Sequence, residues 1–403
     1  MKNNNQKKWM RAAMLVTVLL VSGCSKDNTA DTDTPKPDEE EPIKPMQVSI
    51  AGLDQKMEKF LTDNNFPGMS LAVSKNGKLV YQKGYGLADI ESGEKVSTDS
   101  RFRTASVSKL FTSVAIMTLI QDGKLEMDQK VFGADGVLGT SYGMQPYKNY
   151  VTDVTISDLL HHTIGGWGQT NDPAFFEEGM DADAAINWTL DNIALTSAPG
   201  TSFAYSNFGY MLLSKIISKA SGKAYEVYVK EAILNKVGAT QTSIASTSLA
   251  GRKDKEVKYY GQDGDTDYVY DYINFSRADA AMGWLSTPKE LLLFCNAVDG
   301  SSTRPDILNG TTLNTMTTIT PASVGFGFHF GSGWVVEGDE WFWWGSLPGS
   351  FAILYRNANG ICIAATANGR RQPTPENALN GFIGLINYMA VDATIPWQDI
   401  DQF

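Results

Sequence analysis

Between Ser106 and Gln121 the side chains Leu110, Phe111, Val114, Ile116, Met117, Leu119 and Ile120 fall on every side of a 3.6-residue repeat, and the run stops at Asp122-Gly123. A helix that is apolar all round has no face to show to water, so the rest of the chain has to enclose it. The chain has the means to do so. It has 403 residues, 42% of them apolar and 20% charged, an ordinary globular composition that excludes a fibrous or disordered protein. That length allows two domains or one large one.

The flanking patterns say what encloses the helix. Leu53, Met57, Phe60 and Leu61 have amphipathic-helix spacing. Met69–Val73 and Leu79–Tyr85 read as strands around Asn76-Gly77, the dipeptide of a tight hairpin turn. Helical segments are expected near Ser157–His162, Phe208–Ala220, Tyr225–Leu234 and Glu290–Val298, separated by polar loops. Strand signals return at Gly333–Val336, Glu340–Trp344, Phe351–Tyr355 and Ile361–Ala367, with Asn359-Gly360 as a second hairpin turn. A last helix runs from Pro375 to Val391 with Thr374 as its N-cap. Strands at both ends and helices between them predict an α+β fold: an antiparallel sheet built from both termini, flanked by helices, with an inserted helical subdomain and a cleft where the parts meet.

The N-terminus reads as an address. Lys2, Lys7, Lys8 and Arg11 precede the ten-residue apolar run Ala12–Val21, about half the length a membrane span needs. Val21-Ser22-Gly23-Cys24 then resembles a bacterial lipobox, which makes 1–23 a signal peptide and Cys24 the lipidated residue. Residues 24–45, with Pro35, Pro37, Pro42, Pro45 and the acidic run 38–41, read as a solvated tether, leaving 46–403 as one catalytic-sized domain. The expected location is the cell envelope, anchored to the outer membrane by lipid alone and facing the periplasm or the surface. Removal of four basic residues takes the net charge from −11 to −15, which argues against a nucleic-acid partner. Of three cysteines, Cys295 and Cys362 are either bridged or buried as free thiols.

A serine hydroxyl needs an adjacent base to act as a nucleophile. Serine and lysine three apart on a helix share a face, and the chain offers Ser92…Lys95, Ser106…Lys109 and Ser286…Lys289. The first lies in a polar turn. The last has a structural explanation, with Thr287 and Glu290 as a capping box and Pro288 at the first helical position. Only Ser106 opens a buried helix, where the N-terminal positive potential favours an oxyanion. Four Tyr-x-Asn patterns occur, at Tyr147, Tyr205, Tyr272 and Tyr355. Tyr205-Ser206-Asn207 alone stands on a fixed loop end before a helix, after Pro199-Gly200-Thr201.

These segments, together with Phe66-Pro67-Gly68, 84–89, 102–109, 155–163, 199–207, 283–287 and 345–349, resemble the β-lactamase-related serine hydrolases: class C β-lactamases, D-alanyl-D-alanine carboxypeptidases and related esterases. The resemblance implies the β-lactamase/penicillin-binding-protein-like fold and an acyl-serine intermediate on an ester, amide or β-lactam carbonyl, with no cofactor and no metal. Ser106 would be the nucleophile, Lys109 its proton partner, and Tyr205 the general base, its phenolate favoured by the Lys109 charge. Asn207 would orient Lys109, and the backbone N–H groups of Ser106 and Ser346 would form the oxyanion hole. The substrate would be a small-molecule or peptidoglycan-derived acyl compound.

One departure matters. The family's third motif begins with Lys or His on the strand lining the cleft, whereas this chain has Trp343-Trp344-Gly345 before Ser346-Leu347-Pro348-Gly349. Gly345 keeps the close backbone approach, while indole replaces the group that meets a substrate carboxylate. Esterase or peptidase-like activity is therefore preferred over that of a true class C-like β-lactamase. A non-catalytic penicillin-binding or sensor protein is the remaining alternative. Trp343 also fits a plain core role, because this region is rich in aromatics.

Other signals carry no chemistry here. His161-His162 point in different directions and lack a third metal ligand. Asp263, Asp265 and Asp267 alternate like a calcium loop, but Tyr268 stands where glycine is required and Asn274 where glutamate is. Gly139-Thr140-Ser141-Tyr142-Gly143 lacks the strand and helix of a nucleophile elbow, and Gly325-x-Gly327 opens no helix. Tyr259, Tyr260, Tyr268, Tyr270 and Tyr272 read as a loop tucked onto the body.

Overall fold

Asn76 and Gly77 both take positive φ, 51° and 74°, and turn β1 (Gly68–Lys75) into β2 (Lys78–Asp89). The structure, a computed structural model, describes residues 49–403 apart from 170–171, 176–178, 262–268, 271–273, 326, 328 and 370–374. Cys24 with the signal and tether, Asp263, Asp265, Asp267, Tyr268, Tyr272 and the Thr374 cap lie outside the described residues. Pro45–Phe403 form one compact unit.

The hairpin extends to β3 (Glu94–Lys95), and β4 (Phe102–Arg103) leads toward the buried helix. Beyond the helical region come β5 (Ser243–Ile244), β6 (Trp284–Ser286), β7 (Val335–Glu337), β8 (Glu340–Leu347), β9 (Ser350–Arg356) and β10 (Ile361–Ala367). Seven strands form an antiparallel sheet in the order β3-β2-β1-β10-β9-β8-β7. The junction between chain ends is β1 against β10, from Met69 opposite Ala367 to Lys75 opposite Ile361. A small sheet β4-β6-β5 stands apart.

Strand alternation divides the core. Met69, Leu71, Val73, Ile353, Ile363 and Ala365 face α1 (Ala51–Asn64) and the helix Pro375–Val391, where Phe60 meets Phe382 edge to face at 5.4 Å. Ala72, Ala352, Leu354, Cys362 and Ala364 face the helical body. There α2 (Ser108–Gln121) runs through the centre, buried from Ser108 to Leu119, as its all-round apolar pattern requires. Around it lie α3 (Ile156–Leu160), α4 (Ala182–Asn192), α5 (Asn207–Ser221) and shorter helical segments. The expected α+β architecture is present.

Several boundaries differ from the sequence reading. The strand expected at Gly333 starts at Val335, because Gly333 has φ 86° and closes a turn. The helix expected to reach Val298 runs Pro288–Cys295. Thr287 caps it by accepting from the Glu290 N–H, but the Glu290 carboxylate accepts from the Gln241 N–H and the Thr242 hydroxyl, so a tertiary contact takes that half of the capping box. Ala182–Asn192 and Gly310–Thr317 are helices without a strong sequence signal. Cys295 and Cys362 are buried free thiols, and the contact with Cys362 together with burial pushes the Cys295 thiol up. Among the described residues no helix is long and apolar enough to cross a membrane.

Candidate active site

Ser106 sits on a 3₁₀ turn, Ala105–Val107, rather than within α2 itself. Ala105 has φ 48°, a left-handed conformation that a side chain adopts only when its surroundings impose it. Those surroundings are identifiable. The Thr104 N–H and hydroxyl both donate to the Trp284 carbonyl, at 2.8 and 2.9 Å, and the Trp284 N–H donates to Ser108 Oγ at 3.1 Å. Gly345 on β8 presses on the turn from the other side: a Cβ there would lie 2.6 Å from Ser106 N and against the Thr104 carbonyl. Just upstream, the buried Arg103 guanidinium stacks on Tyr259, Tyr270 and Phe275 and donates to the carbonyls of Ser246, Thr247 and Val269. Part of the tyrosine-rich segment is thus tied to the catalytic strand.

One helical turn on, Lys109 is completely buried, and its ammonium donates to Asn207 Oδ1 at 2.7 Å, to the Ala281 carbonyl at 2.8 Å and to Ser106 Oγ at 3.4 Å. Tyr205 Oη donates to Ser106 Oγ at 2.8 Å. Ser206 caps α5 through the Gly209 N–H, which places Tyr205 before the helix and Asn207 on its first turn. Of the four Tyr-x-Asn patterns, the structure brings this one to Ser106. Tyr147 donates to the Tyr142 carbonyl instead, and Tyr355 donates to Glu340.

A buried carboxylate that the sequence did not reveal supports Asn207. Asp172 Oδ2 accepts from the Asn207 N–H at 2.5 Å and from Asn207 Nδ2 at 3.0 Å, while Oδ1 accepts from the N–H groups of Phe208 and Ala174, both at 3.0 Å. Donation of Nδ2 to Asp172 leaves Asn207 Oδ1 for Lys109. Asp172 also places an anion at the N-terminus of α5, where the helix dipole favours it. The Asn207 contact spans 35 residues, and no local motif marks Asp172.

Burial lowers the Lys109 pKa to about 7, although the Asp172 charge opposes the shift. A neutral amine is thereby within reach at physiological pH. Tyr205 behaves opposite to expectation. Burial pushes its phenol well above the ordinary range, outweighing the opposing hydrogen bond to Ser106, while the Asp172 charge adds a smaller upward push and the nearby Trp343 a smaller downward one. The physical reason is placement: the Lys109 ammonium lies over the Tyr205 ring, 4.8 Å from its centroid, instead of beside the phenolic oxygen. The Tyr205 phenol is thus held in its neutral form, donating to Ser106 Oγ.

Ser106 opens onto a cavity of about 270 Å³ lined by Phe203, Tyr205, Phe330, Trp343, Trp344 and Ser346. Trp343, 7% exposed, is both core and wall: its ring meets Phe330 at 5.1 Å and Tyr205 at 5.8 Å. Trp344 packs on Trp343 at 4.7 Å. His162 stacks behind Tyr205 at 4.4 Å, its Nδ1 accepting from the Ser206 N–H, and burial holds it well below the usual range, hence neutral. His161 turns elsewhere, toward Ser157. Among the described residues no group of three His, Cys, Asp or Glu side chains is placed to hold a metal.

Comparison with known proteins bears on the family and the fold. Protein flp of Staphylococcus aureus strain N315 is 27% identical over 361 residues, covering 87% of this chain and 70% of flp. The octameric penicillin-binding protein homologue from Pyrococcus abyssi superposes with a TM-score of 0.68 at 23% identity, over 84% of this chain and 77% of that one. The D-amino acid amidase of Ochrobactrum anthropi SV3 gives 0.67 at 23% identity, over 84% and 100%. These two likenesses establish the fold. A family model described as Beta-lactamase matches residues 53–388, an interval that holds Ser106, Lys109, Asp172, Tyr205, Asn207 and the aromatic wall, and the chain belongs to that family.

Proposed function

We propose that the chain is a serine hydrolase that works through an acyl-Ser106 intermediate on an ester or amide carbonyl. Family membership supports a serine hydrolase in general. The observation that carries the finer reading is Ser106 Oγ, 2.8 Å from Tyr205 Oη and 3.4 Å from a buried lysine whose pKa is near 7, at the mouth of a cavity. In this reading neutral Lys109 takes the Ser106 proton as Oγ attacks the carbonyl carbon. The oxyanion rests on the backbone N–H groups of Ser106 and Ser346. The bond to the leaving group then breaks, its electron pair going to the leaving atom, which takes a proton from Tyr205 Oη. A proton relayed by water from the Lys109 ammonium to the Tyr205 phenolate, since the two groups share no hydrogen bond, restores both, and a second water repeats the sequence on the acyl carbon.

Fluorophosphonate labelling with mass spectrometry is expected to place the adduct on Ser106. No adduct there, with Ser106→Ala as active as wild type, would refute the mechanism. Trp343 in the third motif favours one second reading, a binding or sensor protein that acylates without turnover. A panel of p-nitrophenyl esters, nitrocefin and a D-Ala-D-Ala peptide separates them, since stable acylation without product release would select the sensor. The lipobox ending at Cys24 further supports anchoring in the cell envelope, which intact mass of the mature N-terminus would test.

A further inference from the structure

We infer that the cavity beside Ser106 receives the leaving-group half of the substrate, and that this half is uncharged and apolar: an aryl or alkyl alcohol or amine without a carboxylate. This rests on the acyl-Ser106 reading above and adds to it which substrates the site selects.

The side follows from Tyr205. Its hydroxyl bonds Ser106 Oγ and its ring is one wall of the cavity. A leaving atom protonated by that hydroxyl departs toward the same wall. From Tyr205 the aromatic surface continues through Trp343 to Phe330 and on to Phe203, with centroids 5.8, 5.1 and 5.6 Å apart.

The chemistry follows from what lines it. Among the described residues the lining contains no Lys, Arg, His, Asp or Glu. Its polar atoms are neutral, and two of them, Trp343 Nε1 and Ser346 Oγ, are buried without a well-formed hydrogen bond. The two cations that flank Ser106 in the chain, Lys109 and Arg103, are committed elsewhere. Lys109 is sealed behind Ser106 on Asn207 and Ala281, and Arg103 is held by three carbonyls and three aromatic rings. A carboxylate entering this space would lose its water and gain no counter-ion, which is strongly unfavourable. An aryl group would find edge and face partners at the separations aromatic pairs prefer. The volume, about 270 Å³, is at the low end for small-molecule sites and suits a single ring.

Acetate release by the full chain tests this with two matched pairs. O-acetyl-lactate and its methyl ester share a skeleton and differ in charge, and 2-phenylethyl acetate and ethyl acetate differ in the ring. The expected kcat/KM favours the methyl ester by at least about 100-fold and the phenylethyl ester by about tenfold. Trp343→Lys is expected to shrink the first ratio and Phe330→Ala the second. Equal or faster cleavage of the carboxylate, while fluorophosphonate still labels Ser106, would overturn the inference and leave the hydrolase reading standing. Loss of both labelling and cleavage in wild type would overturn both.

Discussion

Asp172→Asn removes one charge at nearly constant volume, and the structure fixes what should follow. The carboxylate accepts four N–H groups, two on each oxygen. An asparagine has one acceptor oxygen, so whichever way its amide turns, two buried donors lose their partner. At about 1–3 kcal/mol per orphaned donor, the expected loss of stability is about 2–6 kcal/mol. Lys109 responds in its own way. Its ammonium and the Asp172 carboxylate are joined through Asn207 by contacts of 2.7 and 3.0 Å. The charges are therefore no more than about 8 Å apart, which at an effective dielectric of about 20 amounts to roughly 2 kcal/mol, or roughly 1.5 pKa units. The Asp172 charge raises the Lys109 pKa, so its removal lowers a value already near 7. The acid limb of kcat/KM, which reports the free base, should move to lower pH by about 1.5 units, with a plateau lower by about tenfold as Asn207 loses its tether. The assay is a pH profile of ester hydrolysis beside urea unfolding. A folded variant whose acid limb stays in place or moves upward would refute the reasoning, because a purely structural role changes stability and leaves the limb where it was.

Other residues give equally definite expectations. Gly345→Ala should reduce Ser106 labelling by at least about 100-fold, because the new Cβ displaces the strained turn, whereas Gly310→Ala, with open space around it, should leave labelling and Tm unchanged. Arg103→Met should destabilise the fold by about 3–5 kcal/mol in chemical denaturation, since it leaves buried Glu256 without the guanidinium 3.6 Å away. The Lys109 pKa is depressed on folding, so its burial penalty is complete below pH 7 and fades toward the unfolded value of 10.5. Relative to Lys109→Met, wild type should therefore gain stability across that window, by at most about 1.4 kcal/mol per pH unit. Cys295 and Cys362 should resist a thiol reagent until the chain unfolds, as both are buried.

Much of this protein is written in short-range order. Within α2, the apolar residues on every side dictate burial, and a spacing of three puts Lys109 beside Ser106. The hairpin at Asn76-Gly77 follows from two residues that tolerate positive φ. Caps at Thr155 and Thr287 are local in the same way, since each side chain bonds an N–H three residues on. Such signals act within a turn of helix or a pair of strands, and a reader of the sequence can weigh them directly. The half of the Thr287 capping box that failed did so because Thr242 and Gln241, distant in the chain, compete for Glu290.

The site itself was decided at long range. Context singled out Tyr205 among four candidates, but its bond to Ser106 crosses 99 residues, and the bond from Lys109 to the Ala281 carbonyl crosses 172. Asp172 has no motif, because three of its four hydrogen bonds exist only once α5 is docked, and the fourth, from the Ala174 N–H, is an ordinary local turn contact. The ionisation of Tyr205 went the other way from the sequence argument for the same reason. Proximity of a lysine can be read from spacing, whereas whether the ammonium lies at the phenolic oxygen or over the ring face depends on packing. Sequence alone determined which polar residues are available to the site around Ser106. Burial, which sets both the charge of Lys109 and the apolar walls of the cavity, is a property of the assembled core, and only the tertiary structure could supply it.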